Sequence, residues 1–220
     1  MPLPPFKDQS LLLRALTHRS YLNENSDVHE DNERLEYLGD AVLDLIIANL
    51  LYHRLPEVKE GKLTRLRSSL VRTEQLAQFA TRLELGARLR LGKGEQGSGG
   101  QQRKTLLCDA FEAVIGAYFV EAGYEATRDF VQPLFKPLLE ELLRAEADND
   151  PKSRLQEWAQ AERGLTPRYV IVERRGPDHE QTFRAQVVIG EEVCGEGVGR
   201  NKRSAEQAAA QDALNRLGLA

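Results

Sequence analysis

The stretch NERLEYLGDAVLDLII, Asn32–Ile47, predicts a helix. Leu35, Leu38, Val42, Leu45 and Ile46 recur at helical spacing, and Asn32 suits the N-cap. Glu33, Glu36, Asp40 and Asp44 fall within about 80° of one another on the helical wheel, so four acids share one stripe. Like charges at this spacing repel even in water. From Ala41 onward the helix is apolar almost all round, which predicts burial, and a buried carboxylate without a partner is costly. Arg34 is the single base in the stretch, and a bound cation would remove the conflict. Gly39 sits between two of the acids. It costs about 1 kcal/mol there relative to Ala and predicts that something approaches the backbone closely. The plainer alternative is a solvated acidic face.

A second run, Leu106–Val120 (LLCDAFEAVIGAYFV), again places acids inside an apolar helix. Asp109 and Glu112 stand three residues apart and share a face. Glu36, Asp40, Asp109 and Glu112 together form a set of hard oxygen donors, suited to Mg²⁺ or Mn²⁺ and not to zinc. Paired carboxylates also serve glycoside hydrolysis, but such sites draw on loops and aromatic sugar platforms, which this half lacks. Two divalent ions at such a set can activate water for phosphodiester hydrolysis without a protein nucleophile, and no nucleophile is evident.

NERLEYLGDAVL together with DAFEAVIGA resembles the paired acidic motifs of the ribonuclease III family, endonucleases of double-stranded RNA. HRSY (His18–Tyr21) and LGKGE (Leu91–Glu95) are similar to family segments as well. The resemblance implies that Glu36, Asp40, Asp109 and Glu112 hold the metal, with Asp40 and Glu112 catalytic. It implies accessory roles for Glu33 and for Glu60, which opens the family-like segment Glu60–Thr64. Asp44 receives no role and reads as structural. Tyr37 takes the place of a phenylalanine at a homodimer interface, and its hydroxyl needs a partner or water if buried. A twofold dimer supplies two sites for two strands. The implied outcome is hydrolysis leaving 5′-phosphate and 3′-hydroxyl ends with short 3′ overhangs, in the processing of rRNA and other structured transcripts.

At 220 residues the chain has room for one large domain or two small ones. No apolar run nears the roughly 20 residues that span a bilayer, so no membrane partner is expected, and the start MPLPPFKDQS does not read as a secretory signal. Two distant cysteines, Cys108 and Cys194, argue against a disulfide framework and fit a reducing cytoplasm. The net charge of −4 is unevenly shared: residues 1–150 hold 19 Lys/Arg against 24 Asp/Glu, and residues 151–220 hold 11 against 10. Acid is concentrated where the carboxylate stripe lies. Gln9–Tyr21 predicts a short amphipathic helix. Gly92–Gly100 fits the G-x-G-x-x-G pattern, but that fingerprint needs a strand before it and a helix opening at it; a flexible loop is expected instead.

No strand is predicted over the first 145 or so residues, and Ala147–Lys152 (ADNDPK) reads as a linker. A helix at Ser153–Arg163, β-rich runs at Arg168–Arg174, Gln181–Ile189 and Val193–Val198, and an Ala-rich helix at Lys202–Leu217 follow. This α-β-β-β-α order resembles the double-stranded-RNA-binding domain. The resemblance implies groove contacts by Gln156 and His179, while Lys202 and Arg203 at a helix start make a phosphate site. The expected architecture is an all-α endonuclease domain, 1–147, followed by a small α+β RNA-binding domain, 151–220. The competing functions are a non-catalytic RNA-binding or ribosomal protein on the same fold, which would lose the acid set, and a phosphohydrolase of small nucleotides, which would leave the C-terminal unit unused.

Overall fold

The computed structural model describes residues 2–148, 150–177 and 181–219. The chain divides into two compact units, Met1–Leu139 and Glu140–Ala220. The first is helical: α1 (Gln9–Ala15), α2 (Arg19–Leu22), α3 (Glu33–Arg54), α4 (Glu60–Leu70), α5 (Thr73–Arg82), α6 (Leu85–Arg88), α7 (Lys93–Gly97), a 3₁₀ turn at Gly100–Gln102, and the part of α8 (Lys104–Asp148) up to Leu139. Within α8, Gly123 departs from helical geometry at φ 76° and ψ −178°, so the element is two helical runs. No helix among the described residues is long and apolar enough to cross a membrane.

The core of this unit follows from the apolar periodicity. α3 turns Leu35, Val42, Leu43, Ile46, Ile47, Leu50 and Leu51 inward. They join a buried aromatic group in which the Phe79 ring lies 5.6 Å from Phe111 and 4.8 Å from Phe135. α3 is not buried all round, however. Tyr37, Leu45 and Tyr52 are 81%, 56% and 68% exposed, so the apolar run after Ala41 covers both a core face and a surface face.

Two further expectations are corrected, and a third is met in part. Gln9–Tyr21 is two helices, because Thr17 and His18 leave the helix to pair with Arg90: His18 N–H donates to Arg90 O, and Arg90 N–H to Leu16 O. Asn32 is the N-cap residue of α3 as expected, but its side chain makes no capping hydrogen bond; the Asp31 carboxylate accepts the Glu33 N–H, at 3.1 Å. Gly92–Gly100 is folded. The Gly92 amide donates to Ser20 Oγ and the Lys93 amide to Glu24 Oε1, both at 2.9 Å, which satisfies the opening of α7. Those acceptors lie some seventy residues away in sequence, so local composition could not reveal them.

The second unit holds α9 (Pro151–Arg163), strands β1 (Arg168–Arg175), β2 (Thr182–Ile189) and β3 (Glu192–Gly199) in an antiparallel sheet of order β1-β2-β3, and α10 (Lys202–Arg216). One sheet face buries Ala185, Val187, Ile189 and Cys194 against Leu155 and Ala159 of α9 and Ala205, Ala209, Ala213 and Leu214 of α10. The other face leaves Val170, Val172 and Val198 exposed. Alternate glycines of β3 explain how closely α10 approaches. A Cβ on Gly197 would lie 2.2 Å from the Ala209 nitrogen, and one on Gly195 2.5 Å from the Ala209 oxygen. Glycine on the strand facing alanine on the helix lets backbone meet backbone.

Candidate active site

Two helices carry the acids, and two glycines let those helices touch. A Cβ on Gly39 of α3 would lie 1.8 Å from Glu112 O, and one on Gly116 of α8 would lie 2.1 Å from Leu35 O. The close approach anticipated at Gly39 is therefore the backbone of α8. Glu36 and Asp40 flank Gly39 on α3, while Asp109 and Glu112 lie within two turns of Gly116 on α8. The crossing brings all four carboxylates into one field.

Electrostatics record that proximity. Burial pushes the Glu36 carboxyl up, and Asp109, Glu33 and Asp40 push it further, while Arg19 opposes them. Burial also raises Asp109, partly offset by His18. Glu112 is raised to about 7, by burial first and then by the charges of Asp40, Asp109 and Glu36. Like charges held together in a partly desolvated site favour the neutral form, and Arg19 and His18 offset only part of this. An Asp109 oxygen, a Glu112 oxygen and the Cys108 sulfur all lie within 4.8 Å of one another. The donor set fits a hard divalent cation: it is rich in carboxylate oxygen and carries repulsion that a cation would relieve.

The surroundings are ordered. His18 caps α2, its Nδ1 accepting the Ser20 N–H at 3.2 Å, with Ser20 Oγ 2.8 Å away. Ser20 Oγ in turn accepts the Gly92 amide, so HRSY anchors α2 to the 92–100 segment.

Other predicted residues fall as follows. Glu33 is exposed, 3.3 Å from Arg19, and adds to the charge felt by Glu36. Asp44 pairs with Arg67 of α4 at 3.4 Å. Glu60 opens α4, where its carboxylate accepts the Thr64 hydroxyl at 3.0 Å. A groove lined by Leu45, Ala48, Asn49, Leu51, Tyr52, Leu63, Thr64 and Arg67 shows α4 lying along the later turns of α3. From the Asp44–Arg67 contact, Glu60 runs toward Tyr52 and Asp40 runs the other way. At 1.5 Å per residue they stand roughly 16 Å apart along the helices. Glu60 does not join the other acids within one chain.

In the second unit Gln156, Lys202 and Arg203 are exposed. Lys152 of α9 pairs with Glu206 of α10 at 2.7 Å. Gln156 follows Lys152 by one turn and Lys202 precedes Glu206 by one turn, so all lie on adjoining helix stripes. Asn201 and Ser204 form a reciprocal capping box that fixes the start of α10. His179 lies outside the described residues. Sequence reasoning missed Cys108, whose only signal was its spacing one turn before Glu112.

Residues 8–138 match the family model described as Ribonuclease-III-like, and residues 151–217 match the double-stranded RNA binding motif. The chain is similar to "Ribonuclease 3" of Roseiflexus sp. (strain RS-1), 50% identical over 215 residues, with 96% of this chain and 91% of the relative covered. It is 46% identical to "Ribonuclease 3 1" of Nostoc sp. (strain PCC 7120 / SAG 25.82 / UTEX 2576), with 96% and 94% covered. Among solved structures, a ribonuclease III nuclease domain from Campylobacter jejuni, reported for structural flexibility in a region involved in dimer formation, matches with TM-score 0.56 and 41% identity, over 60% of this chain and 90% of that one. Dicer from Pichia stipitis matches with TM-score 0.54 and 30% identity, over 98% and 97%.

Proposed function

The chain belongs to the ribonuclease III family, specific for double-stranded RNA, and from that premise we propose a metal-dependent, dimeric division of labour between its two units. Residues 1–147 form the catalytic part and residues 151–220 the binding part. Glu36, Asp40, Asp109 and Glu112 hold Mg²⁺, with Mn²⁺ a substitute, and Asp40 and Glu112 stand closest to the chemistry. Divalent ions there would activate water and neutralise charge on the scissile phosphodiester, as in two-metal hydrolysis. The side chains themselves bind the ions and need not act as nucleophiles. Products carry 5′-phosphate and 3′-hydroxyl ends with short 3′ overhangs.

Two strands are cut by two sites of a homodimer. Exposed Tyr37, Leu45 and Tyr52 on α3 support a partner there, since large apolar side chains clustered at a surface mark interaction sites. Glu33 is an accessory acid within the chain, and an accessory role for Glu60 requires the second copy. Gln156, His179, Lys202 and Arg203 contact the duplex, which is recognised mainly by shape and phosphates. Buried free thiols Cys108 and Cys194 suit the reducing cytoplasm, where rRNA and other structured transcripts are substrates.

One observation carries this reading: the Gly39–Gly116 crossing gathers the four carboxylates, and three of them have raised pKa values. The test is long double-stranded RNA with and without Mg²⁺, for the native chain and Glu112→Ala. Short duplexes with 5′-phosphates should form only with the metal and only with Glu112 present, while RNA binding by the variant stays within a few-fold of native. Cleavage in chelator, or near-native cleavage by Glu112→Ala, overturns it.

A further inference from the structure

Cys108 is 6% exposed and sits one helical turn before Glu112 on α8. Its thiol donates to Glu112 Oε1 at 3.6 Å. The side chain of Thr73, the first residue of α5, lies beside the Cys108 thiol. A thiol is a weak donor, but a charged acceptor strengthens the bond. The thiol also belongs to the group in which the Cys108 sulfur, an Asp109 oxygen and a Glu112 oxygen lie within 4.8 Å of one another.

A glutamate has three torsions to fix before it can bind an ion. A donor that already holds one oxygen removes part of that freedom, as outer partners do for metal-binding side chains generally. We propose that Cys108 is a positioning residue for the metal site: its thiol, backed by Thr73, holds Oε1 of Glu112 and leaves the other carboxylate oxygen for the cation. The inference rests on the metal reading above.

Mn²⁺ binding to RNA-free protein, followed by electron paramagnetic resonance, tests it beside the Mn²⁺ dependence of cleavage. Cys108→Ala should weaken Mn²⁺ binding about three- to tenfold, at or below the low end of the roughly 10–100-fold typical of such partners. The metal requirement for cleavage should rise in step, while the rate at saturating Mn²⁺ stays near native. Cys108→Ser keeps a donor on the same carbon and should recover most of the binding. Thr73→Val, which removes only the hydroxyl behind the thiol, should show a smaller loss of the same sign and keeps the test decisive if Cys108→Ala folds poorly. Native Mn²⁺ affinity in folded Cys108→Ala, equal losses in Ser and Ala variants, or no loss in Thr73→Val beside an unfolded Cys108→Ala would overturn the proposal. If Glu112→Ala binds Mn²⁺ as tightly as the native chain, the metal reading itself fails and this inference with it.

Discussion

A Cβ added to Gly39 would lie 1.8 Å from the carbonyl oxygen of Glu112. No rotamer change relieves that clash, because both atoms belong to backbone or are fixed by it. Gly116 repeats the arrangement from the other helix, 2.1 Å from Leu35 O. The metal-binding proposal therefore depends on two residues with no side chain to offer. They set how near α3 and α8 come, and so how near the carboxylates of one helix lie to those of the other.

Gly39→Ala is expected to force the helices apart. Helix propensity favours the substitution by about 1 kcal/mol, but overpacking typically costs about 1–3 kcal/mol and more against rigid backbone. A net loss of about 2 kcal/mol or more should appear in the urea midpoint. Cleavage should fall about a hundredfold even where the protein is folded, since a 1 Å displacement of reacting groups can cost that much. Unchanged stability and activity would mean the helices separate freely and the crossing does not govern the site.

Much of this is legible in order along the chain, because helices and strands of this kind are set by local periodicity. The Leu35–Ile46 and Leu106–Val120 patterns find α3 and α8, and the β-rich runs find the sheet. Gly39 declares a close approach, yet only the fold can name Glu112 O as the neighbour. Gly116 looks like one more small residue in an apolar helix. Gly92–Gly100 reads wrongly as a loose loop because Ser20 and Glu24 supply its caps from far upstream. Cys108 is silent for a similar reason: a thiol between leucine and aspartate reads as core until its distance to Glu112 is known.

The raised acids make stability depend on pH with a definite sign. Glu112 is lifted from an ordinary value of 4.5 to about 7, so across that window the folded state holds a proton that the unfolded state has released. Stability of the ion-free protein should therefore fall as pH rises from about 4.5 to about 7. Glu36 and Asp109 shift in the same direction. Thermal melting in chelator should show this decline, and Glu112→Gln should flatten it. Mg²⁺ should raise Tm more at about pH 8 than at about pH 5, because protons compete for the same oxygens. A decline as steep in Glu112→Gln as in the native chain would place the coupling elsewhere.

Lys202 and Arg203 stand exposed at the start of α10, whose cap is made by Asn201 and Ser204 and not by either base. Replacing both with alanine should leave the helix start intact and remove only charge. Duplex affinity should drop, and the slope of log K against log salt should shrink by about one for each phosphate that the variant no longer neutralises. An unchanged slope at unchanged melting temperature would move the phosphate contacts to another face.

Residues 1–147 alone should fold, dimerise and cut duplex RNA weakly. Every proposed ligand lies before the polar stretch 147–152, and the proposed partner surface of Tyr37, Leu45 and Tyr52 is on α3. The truncated chain would lack Gln156, Lys202 and Arg203, so its defect should be one of affinity. Lower salt strengthens the phosphate contacts that remain, and higher RNA concentration compensates for weak binding. Either should restore part of the rate, with the Mg²⁺ requirement unchanged. Both strands should still be cut, because the two sites come from two copies of the helical unit. Sedimentation as a monomer would break the link between α3 and the dimer. Failure to cut at any RNA concentration, in a chain that melts cooperatively, would mean that residues 148–220 help to build the active site and do more than hold the substrate.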